Sequence, residues 1–113
     1  MNILITGASG FIGSGLVNLF FMEKNVRILA LSRVPKQSNN NISYITGDIL
    51  NEEFINSVFS QNNIDAVIHL AAITAHSEIV DNKFKTFDVN LRGTENLLKA
   101  KLRCFVNTKK LQV

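Results

Sequence analysis

Three residue types are scarce in this chain of 113 residues, which has one cysteine, one proline and no tryptophan. The single cysteine, Cys104, cannot form an internal disulfide, so the sequence argues against a disulfide-held secreted scaffold and predicts a reducing, cytoplasmic compartment. Long hydrophobic runs are also missing. Runs such as Ile28–Leu31 have the length of a strand, far below the roughly 20 residues that cross a bilayer, so we expect no membrane partner.

The chain also lacks a strong excess of either charge. Twelve lysines and arginines against nine acidic residues give a net charge of +3, and the basic residues are spread along the sequence. This distribution argues against nucleic acid as a partner. Hydrophobic residues at 46% and charged residues at 19% are typical of a globular protein, and the length permits at most one domain.

Segments with strand and helix patterns alternate along the chain. The strands are predicted at residues 2–6, 26–31, 42–46, 66–70 and 104–107. The helices are predicted at residues 11–21, from a cap at Asn51 to about residue 62, and at 83–100. Such alternation predicts an α/β fold with a parallel sheet in the order 3-2-1-4-5 and helices on both faces.

A glycine-rich segment, Thr6-Gly7-Ala8-Ser9-Gly10-Phe11-Ile12-Gly13, joins the first strand to the first helix. In a dinucleotide site Gly7 would supply the tight turn, Gly10 the close approach of a pyrophosphate, and Gly13 close contact between the helix and the sheet. The competing interpretation is an ordinary turn between strand and helix, which is also rich in glycine. The position of the segment favours the dinucleotide site.

The segment TGASGFIG resembles the signature of the extended short-chain dehydrogenase/reductase family, the NAD(P)-dependent epimerases and dehydratases of nucleotide sugars. Three further stretches agree with this family: Gly47-Asp48-Ile49, His69-Leu70-Ala71-Ala72, and Val89 to Leu98. The resemblance covers residues 1 to about 100. It implies that residues 1–113 form part of a Rossmann-type NAD(P)-binding domain without the substrate domain.

The resemblance also implies the cofactor-binding residues: Gly7, Ser9, Gly10, Phe11, Ile12, Gly13, Arg33, Asp48, Ile49, Leu70, Ala71 and Ala72. Asp48 is expected to accept a hydrogen bond from the adenine amino group, with Ile49 packing on the ring. Ala71 and Ala72 are expected to lie beneath the cofactor ribose. Two alternatives remain open: Asp48 could cap the following helix, and the alanines could be small because helix and sheet pack closely.

Three other residues have candidate roles in the active site. Asn90 corresponds to the asparagine in the family's long helix, which supports the active-site water and lysine. His69 lies in an apolar strand and is interpreted as a core histidine rather than a catalyst. His76 falls where relatives contact substrate, although a solvated histidine fits equally well.

The second strand is followed by Arg33 at the place where an NAD-specific site carries an acidic residue for the ribose 2′-hydroxyl. An arginine there can bind a 2′-phosphate by charge-assisted hydrogen bonds. The cofactor is therefore predicted to be NADP or NAD, with NADP slightly favoured. A solvated arginine at the end of a strand is the alternative.

The family's catalytic Tyr-x-x-x-Lys pair is absent from these 113 residues, and the only tyrosine is Tyr44. Thr108 is a weak substitute for a catalytic hydroxyl, and no cluster of metal ligands is visible. We expect a truncated epimerase or dehydratase without its own catalysis, in which a nucleotide sugar would bind only to a full-length relative. Its unfinished sheet edge would favour self-association. The alternative is a self-standing module that binds or senses NAD(P) together with a partner.

Overall fold

The computed structural model describes residues 1–72 and 83–107, which form two compact units. The sheet unit comprises Met1–Asp48 and Asn63–Ala72, and the helical unit comprises residues 49–62 and 83–107 of the described chain. The strands are β1 (Asn2–Thr6), β2 (Arg27–Ser32), β3 (Ile42–Thr46) and β4 (Ala66–His69). The helices are α1 (Phe11–Phe20), α2 (Glu52–Gln61), α3 (Lys83–Phe87), a π-helical segment (Asp88–Arg92) and α4 (Gly93–Asn107). No helix in these described ranges is long and apolar enough to cross a membrane.

The sheet is parallel and has the strand order β3-β2-β1-β4. The central strand β1 pairs with β2 on one side and with β4 on the other, and Thr6 lies opposite His69 in the second pair. Because all four strands run in the same direction, their carboxyl ends lie at one edge of the sheet. The predicted Rossmann-type parallel sheet is confirmed, with the predicted order for its first four strands.

Both sets of alternating side chains in the central strands are buried. One set, Ile3, Ile5, Ile28, Ala30 and Ile42, forms a cluster with Ala8 and with Val17 of α1. Leu4, Leu29 and Leu31 of the other set are almost fully inaccessible to solvent. Strands buried on both faces carry continuous apolar sequence, which explains why β1 and β2 show little polar alternation.

The predicted fifth strand at Cys104–Asn107 is wrong, because these residues continue helix α4. The predicted helix at 83–100 is present but contains the π-helical segment and extends to Asn107. Leu97 and Ala100 are buried, and Cys104 is half-buried one helical turn farther on. Neither glycine nor proline follows Gly93 within α4 to end the helix.

The side chain of Asn41, the residue before β3, connects the end of α1 to the start of β2. Its side-chain amide donates to the carbonyl oxygens of Phe20 (2.7 Å) and Val26 (3.0 Å). Its side-chain oxygen accepts from the Met22 N–H at 2.8 Å, where Met22 has a φ of 63°. One side chain therefore satisfies the backbone of a turn that carries a left-handed, non-glycine residue.

We expect Asn41→Ala to lower the free energy of unfolding by about 1–3 kcal/mol, because it leaves partly buried backbone groups without partners. Asn39→Ala is the control, since the hydrogen bonds of Asn39 to Ile42 use only its backbone. That variant should change stability by no more than about 0.5 kcal/mol. Urea unfolding followed by circular dichroism measures both. Equal stability of the two variants would contradict the role assigned to Asn41.

Candidate functional site

Gly7 follows β1 and has a conformation that favours glycine, with a φ of +68°. A Cβ placed on Gly7 would lie 2.7 Å from the Ala71 nitrogen and 2.8 Å from the Leu70 carbonyl carbon. The backbone after β4 thus packs directly against the backbone after β1. Gly7 supplies the tight turn that its position in the motif predicted.

Gly10 is the N-cap of α1 and leaves that helix end without a side-chain cap. The Gly10 N–H donates to the Gly7 carbonyl at 3.1 Å, which closes the loop. The structure describes the whole first turn of α1, and this turn contains no acidic residue. The first N–H groups of a helix have no partner within it and carry the positive end of the helix dipole, so this terminus suits an anion.

Gly13 allows the first turn of α1 to lie against the loop that precedes it. A Cβ on Gly13 would overlap the Gly7 carbonyl oxygen and would lie 3.0 Å from the Ala8 Cα. A close contact is present at Gly13 as predicted, but its partner is the backbone of the loop and not the sheet. The Ala8 N–H in turn donates to the Leu31 carbonyl of β2 at 3.2 Å.

The other predicted residues of the loop lie at its surface. Ser9 is exposed, and Phe11 and Ile12 are 97% and 68% exposed. At the carboxyl end of β4, Leu70 and Ala71 are partly buried and Ala72 is exposed. The loop and the end of β4 lie together within the sheet unit, where Gly7 packs on the backbone of Leu70 and Ala71. The loop also presents the large side chains of Phe11 and Ile12 to solvent.

Thr6 was not predicted as a site residue, yet its buried hydroxyl connects β1 to the end of β4. The Leu70 and Ala71 N–H groups donate to Thr6 Oγ1 at 3.1 and 3.2 Å. His69 Nδ1 lies 2.5 Å from the same oxygen. Burial lowers the pKa of His69 below its usual value. The sequence contains one signal for this role of Thr6. Thr6 is a polar residue that ends an apolar strand, directly before the first glycine of the loop.

Arg33 is exposed immediately after β2, at the same edge of the sheet as the glycine loop. Ser32 holds the turn around it, because Ser32 Oγ accepts from the Val34 N–H at 2.9 Å. The Ser32 carbonyl also accepts from the Gly47 N–H at 3.0 Å. No carboxylate of residues 1–72 or 83–107 forms an ion pair with Arg33.

Asp48 ends the sheet unit and is exposed. The alternative that it caps the following helix is not what the structure shows, since Asn51 Oδ1 accepts from the Phe54 N–H at 3.1 Å. The predicted cap at Asn51 is thereby confirmed, with Glu52 and Glu53 in the first turn of α2. The adenine contact of Asp48 stays a prediction.

Ile49 begins the helical unit, where α4 holds both its side chain and its backbone. Ile49 is 6% exposed. Its side chain lies so close to Gly93 that a Cβ added to Gly93 would be 2.8 Å from Ile49 Cγ1. The Asn96 amide donates to the Ile49 carbonyl at 2.9 Å. Gly93 and Asn96 belong to the Val89–Leu98 motif, but neither was predicted to have a structural role. The packing of Ile49 on an adenine ring stays a prediction.

Asn90 lies in the π-helical segment of the helical unit, and its carbonyl accepts from Thr94 Oγ1 at 3.0 Å. Segments of this kind occur often at functional sites. The supporting role of Asn90 stays a prediction. His76 and Thr108 lie outside the described residues. Within 1–72 and 83–107, no group of three or more His, Cys, Asp or Glu side chains is placed to hold a metal ion.

Comparison with known proteins identifies the family. The model of the NAD dependent epimerase/dehydratase family matches residues 3–113. The UDP-glucose 4-epimerase of Halalkalibacterium halodurans is 35% identical over 105 residues, which are 90% of this chain and 31% of that protein. The UDP-glucose 4-epimerase of Pisum sativum is 38% identical over 109 residues, covering 84% of this chain and 31% of the relative.

Solved structures agree with this assignment. UDP-glucose 4-epimerase from Thermotoga maritima, determined with UDP-glucose, matches with a TM-score of 0.81 and 28% identity, over 92% of this chain and 35% of that one. The enzyme from Bifidobacterium longum, in complex with NAD+ and UDP, gives a TM-score of 0.79 and 27% identity, over 92% and 34%. The chain thus spans about a third of the length of the relatives that it matches. It belongs to the NAD dependent epimerase/dehydratase family.

Proposed function

We propose that this chain binds the adenosine and pyrophosphate half of NAD(P), as the dinucleotide-binding part of a nucleotide-sugar epimerase or dehydratase of the UDP-glucose 4-epimerase type. The pyrophosphate would lie on the N–H groups at the start of α1, with the ribose next to Ala71 and Ala72. Asp48 would accept a hydrogen bond from the adenine amino group. Relatives solved with NAD+ support the cofactor class.

The observation that carries this proposal is the uncapped N-terminus of α1 at Gly10. Gly7 and Gly13 are both required by backbone packing, so they would also suit an ordinary turn. Gly10 is different, because among the described residues a Cβ there would meet only the Gly7 carbonyl oxygen, at 3.3 Å. Helices favour Ser, Thr, Asp, Asn or Gly at this position, and of these only glycine has no side chain that accepts from the first N–H groups. A bare N-cap leaves the N–H groups accessible to an external anion.

A titration with ADP-ribose tests the proposal, because this ligand contains the adenosine and the pyrophosphate. The wild-type chain is expected to bind it, with the largest amide shifts in nitrogen-15 NMR spectra at Gly10, Phe11 and Ile12. Gly10→Asp should fold with unchanged or higher stability, since aspartate caps helices well. Its carboxylate would occupy the anion position and weaken binding by on the order of 100-fold or more.

The matched control is Asn18→Asp, which adds the same charge at an exposed position farther along α1. It should bind ADP-ribose like the wild-type chain. Absence of binding by a folded wild-type chain would reject the proposed site. Equal binding by Gly10→Asp and Asn18→Asp would show that the ligand lies elsewhere.

We also propose that the chain self-associates through β4. This strand pairs with β1 on one side, and within the described residues no strand pairs with its other side. An exposed strand edge presents unpaired backbone groups to another chain. Sedimentation velocity should show a larger species growing with protein concentration. A lysine in place of Val67 should weaken this association, and a monomer at all concentrations would refute it.

A further inference from the structure

We infer that His69 positions the glycine loop through the hydroxyl of Thr6. The inference rests on the proposed function only for its effect on ligand affinity. Its structural basis is the parallel pairing of β1 with β4, in which Thr6 and His69 are partners. This pairing places the two side chains next to each other at the carboxyl ends of the two central strands.

The hydrogen bonds around Thr6 Oγ1 determine the direction of its proton. A hydroxyl has one proton to donate and two lone pairs that accept. The N–H groups of Leu70 and Ala71 can only donate, and both donate to this oxygen. The Leu70 N–H also donates to the Thr6 carbonyl at 3.2 Å, so its hydrogen bond is shared between the two oxygens. The two N–H groups occupy the two lone pairs of Oγ1, so the hydroxyl proton is left for the remaining neighbour, His69 Nδ1.

Nδ1 of His69 must then accept, which requires a neutral ring with its proton on Nε2. A protonated imidazole carries hydrogens on both nitrogens and could not accept from Thr6. Burial, which lowers the pKa of His69, favours the same neutral form. The Thr6 hydroxyl therefore selects one tautomer of this histidine.

The same hydroxyl holds the end of β4 against the glycine loop. Its two acceptor bonds hold the Leu70 and Ala71 backbone, which packs on Gly7 with no room for a Cβ. While His69 Nδ1 accepts a hydrogen bond from the Thr6 hydroxyl, both lone pairs of Oγ1 stay directed at these N–H groups. Without that acceptor the hydroxyl rotates to find another partner, and the Ala71 backbone loses its fixed position. His69 is thus a positioning residue, whose interpretation as a core histidine understated its role.

The tautomer is measured without any ligand, on the nitrogen-15 labelled chain of 113 residues. Long-range proton–nitrogen spectra should show an unprotonated Nδ1 and a protonated Nε2 for His69. Thr6→Ser keeps the hydroxyl and should keep this pattern. Thr6→Val removes the donor, so the fraction of His69 protonated at Nδ1 should rise and the Ala71 amide should exchange faster with solvent. A protonated Nδ1 in the wild-type chain would overturn the inference.

Ligand affinity provides the second readout. His69→Asn places an amide oxygen near the position of Nδ1 and should bind ADP-ribose like the wild-type chain. His69→Leu has no acceptor and should bind about 2- to 12-fold more weakly. Equal affinity of both variants would count against the positioning role. If the folded wild-type chain does not bind ADP-ribose at all, the proposed function fails, while the tautomer and the Ala71 exchange rate still decide the role of His69.

Discussion

The Gly13→Ala variant is expected to be less stable than the wild-type chain, whereas Gly15→Ala is expected to be more stable. Both substitutions add one methyl group within α1, two residues apart. At Gly13 the added carbon would overlap the Gly7 carbonyl oxygen and lie 2.9 Å from the Gly7 carbonyl carbon. Backbone atoms cannot rotate away as a side chain does, so the helix or the loop must move.

At Gly15 the added carbon would meet no atom of residues 1–72 or 83–107 within 4 Å. Alanine restricts the unfolded chain more than glycine does and favours the helix, which predicts a gain of about 0.5–1 kcal/mol. The loss at Gly13 is expected to be about 1–3 kcal/mol, the usual cost of overpacking. Urea denaturation of the two variants gives both values. The ADP-ribose affinity should fall with Gly13→Ala and stay unchanged with Gly15→Ala.

If the free energy of unfolding falls in one variant and rises in the other, the steric contact, and not helix propensity, explains why position 13 carries glycine. If Gly13→Ala were as stable as Gly15→Ala, the loop would not pack on α1 as described. If Gly13→Ala lost stability but kept its affinity for ADP-ribose, the anion would not depend on the loop geometry. The two measurements therefore test the packing and the site separately.

The elements with strong local patterns could be predicted from the sequence. The glycine loop, the parallel strands and the Asn51 cap each depend on residues that are close in the chain. The segment at Cys104–Asn107 shows where this approach fails. Cys104, Phe105 and Val106 suit a strand by composition, but Leu97, Ala100 and Cys104 continue a helical spacing along the buried side of α4. In this segment the helical periodicity, and not the residue composition, indicates the structure that forms.

The contacts that could not be predicted join residues far apart in the sequence. Thr6 contacts His69 and Ala71, and Asn96 donates to the Ile49 carbonyl 47 positions earlier. Each of these side chains satisfies a backbone or ring group that local sequence does not identify. The resemblance indicated the Val89–Leu98 motif but not the reason for Gly93 and Asn96. The structure provides this reason. Gly93 leaves room for the Ile49 side chain, and Asn96 donates to the Ile49 carbonyl.

The second large effect is expected in cofactor selectivity, where Arg33 should favour a 2′-phosphate. The arginine follows β2 at the carboxyl edge of the sheet, in a turn held by the two hydrogen bonds of Ser32 to Val34 and Gly47. The Ala8 N–H of the glycine loop bonds to Leu31, two residues before Arg33. A ribose bound beside this loop would therefore have its 2′-substituent within the sheet unit, near a guanidinium.

Calorimetric titration with 2′,5′-ADP and 5′-AMP measures the preference, since the two ligands differ only by the 2′-phosphate. The wild-type chain should bind 2′,5′-ADP about 10- to 100-fold more tightly, the range expected for one charge-assisted contact. Arg33→Ala should reduce the affinity for 2′,5′-ADP to that for 5′-AMP, and the affinity for 5′-AMP should stay unchanged. The preference of the wild-type chain should also decrease with added salt, because Arg33 is exposed.

Arg27→Ala provides the control for net charge. Arg27 is also exposed, but it begins β2, about 17 Å of extended strand from the end where Arg33 lies. Removal of this charge should leave the preference for 2′,5′-ADP intact, because a contact with the ligand and not the overall charge is responsible. If Arg27→Ala and Arg33→Ala lowered the preference equally, the effect would be long-range electrostatics. If the wild-type chain bound both ligands equally, the preference for NADP would be wrong, and Arg33 would be a solvated arginine at the end of a strand.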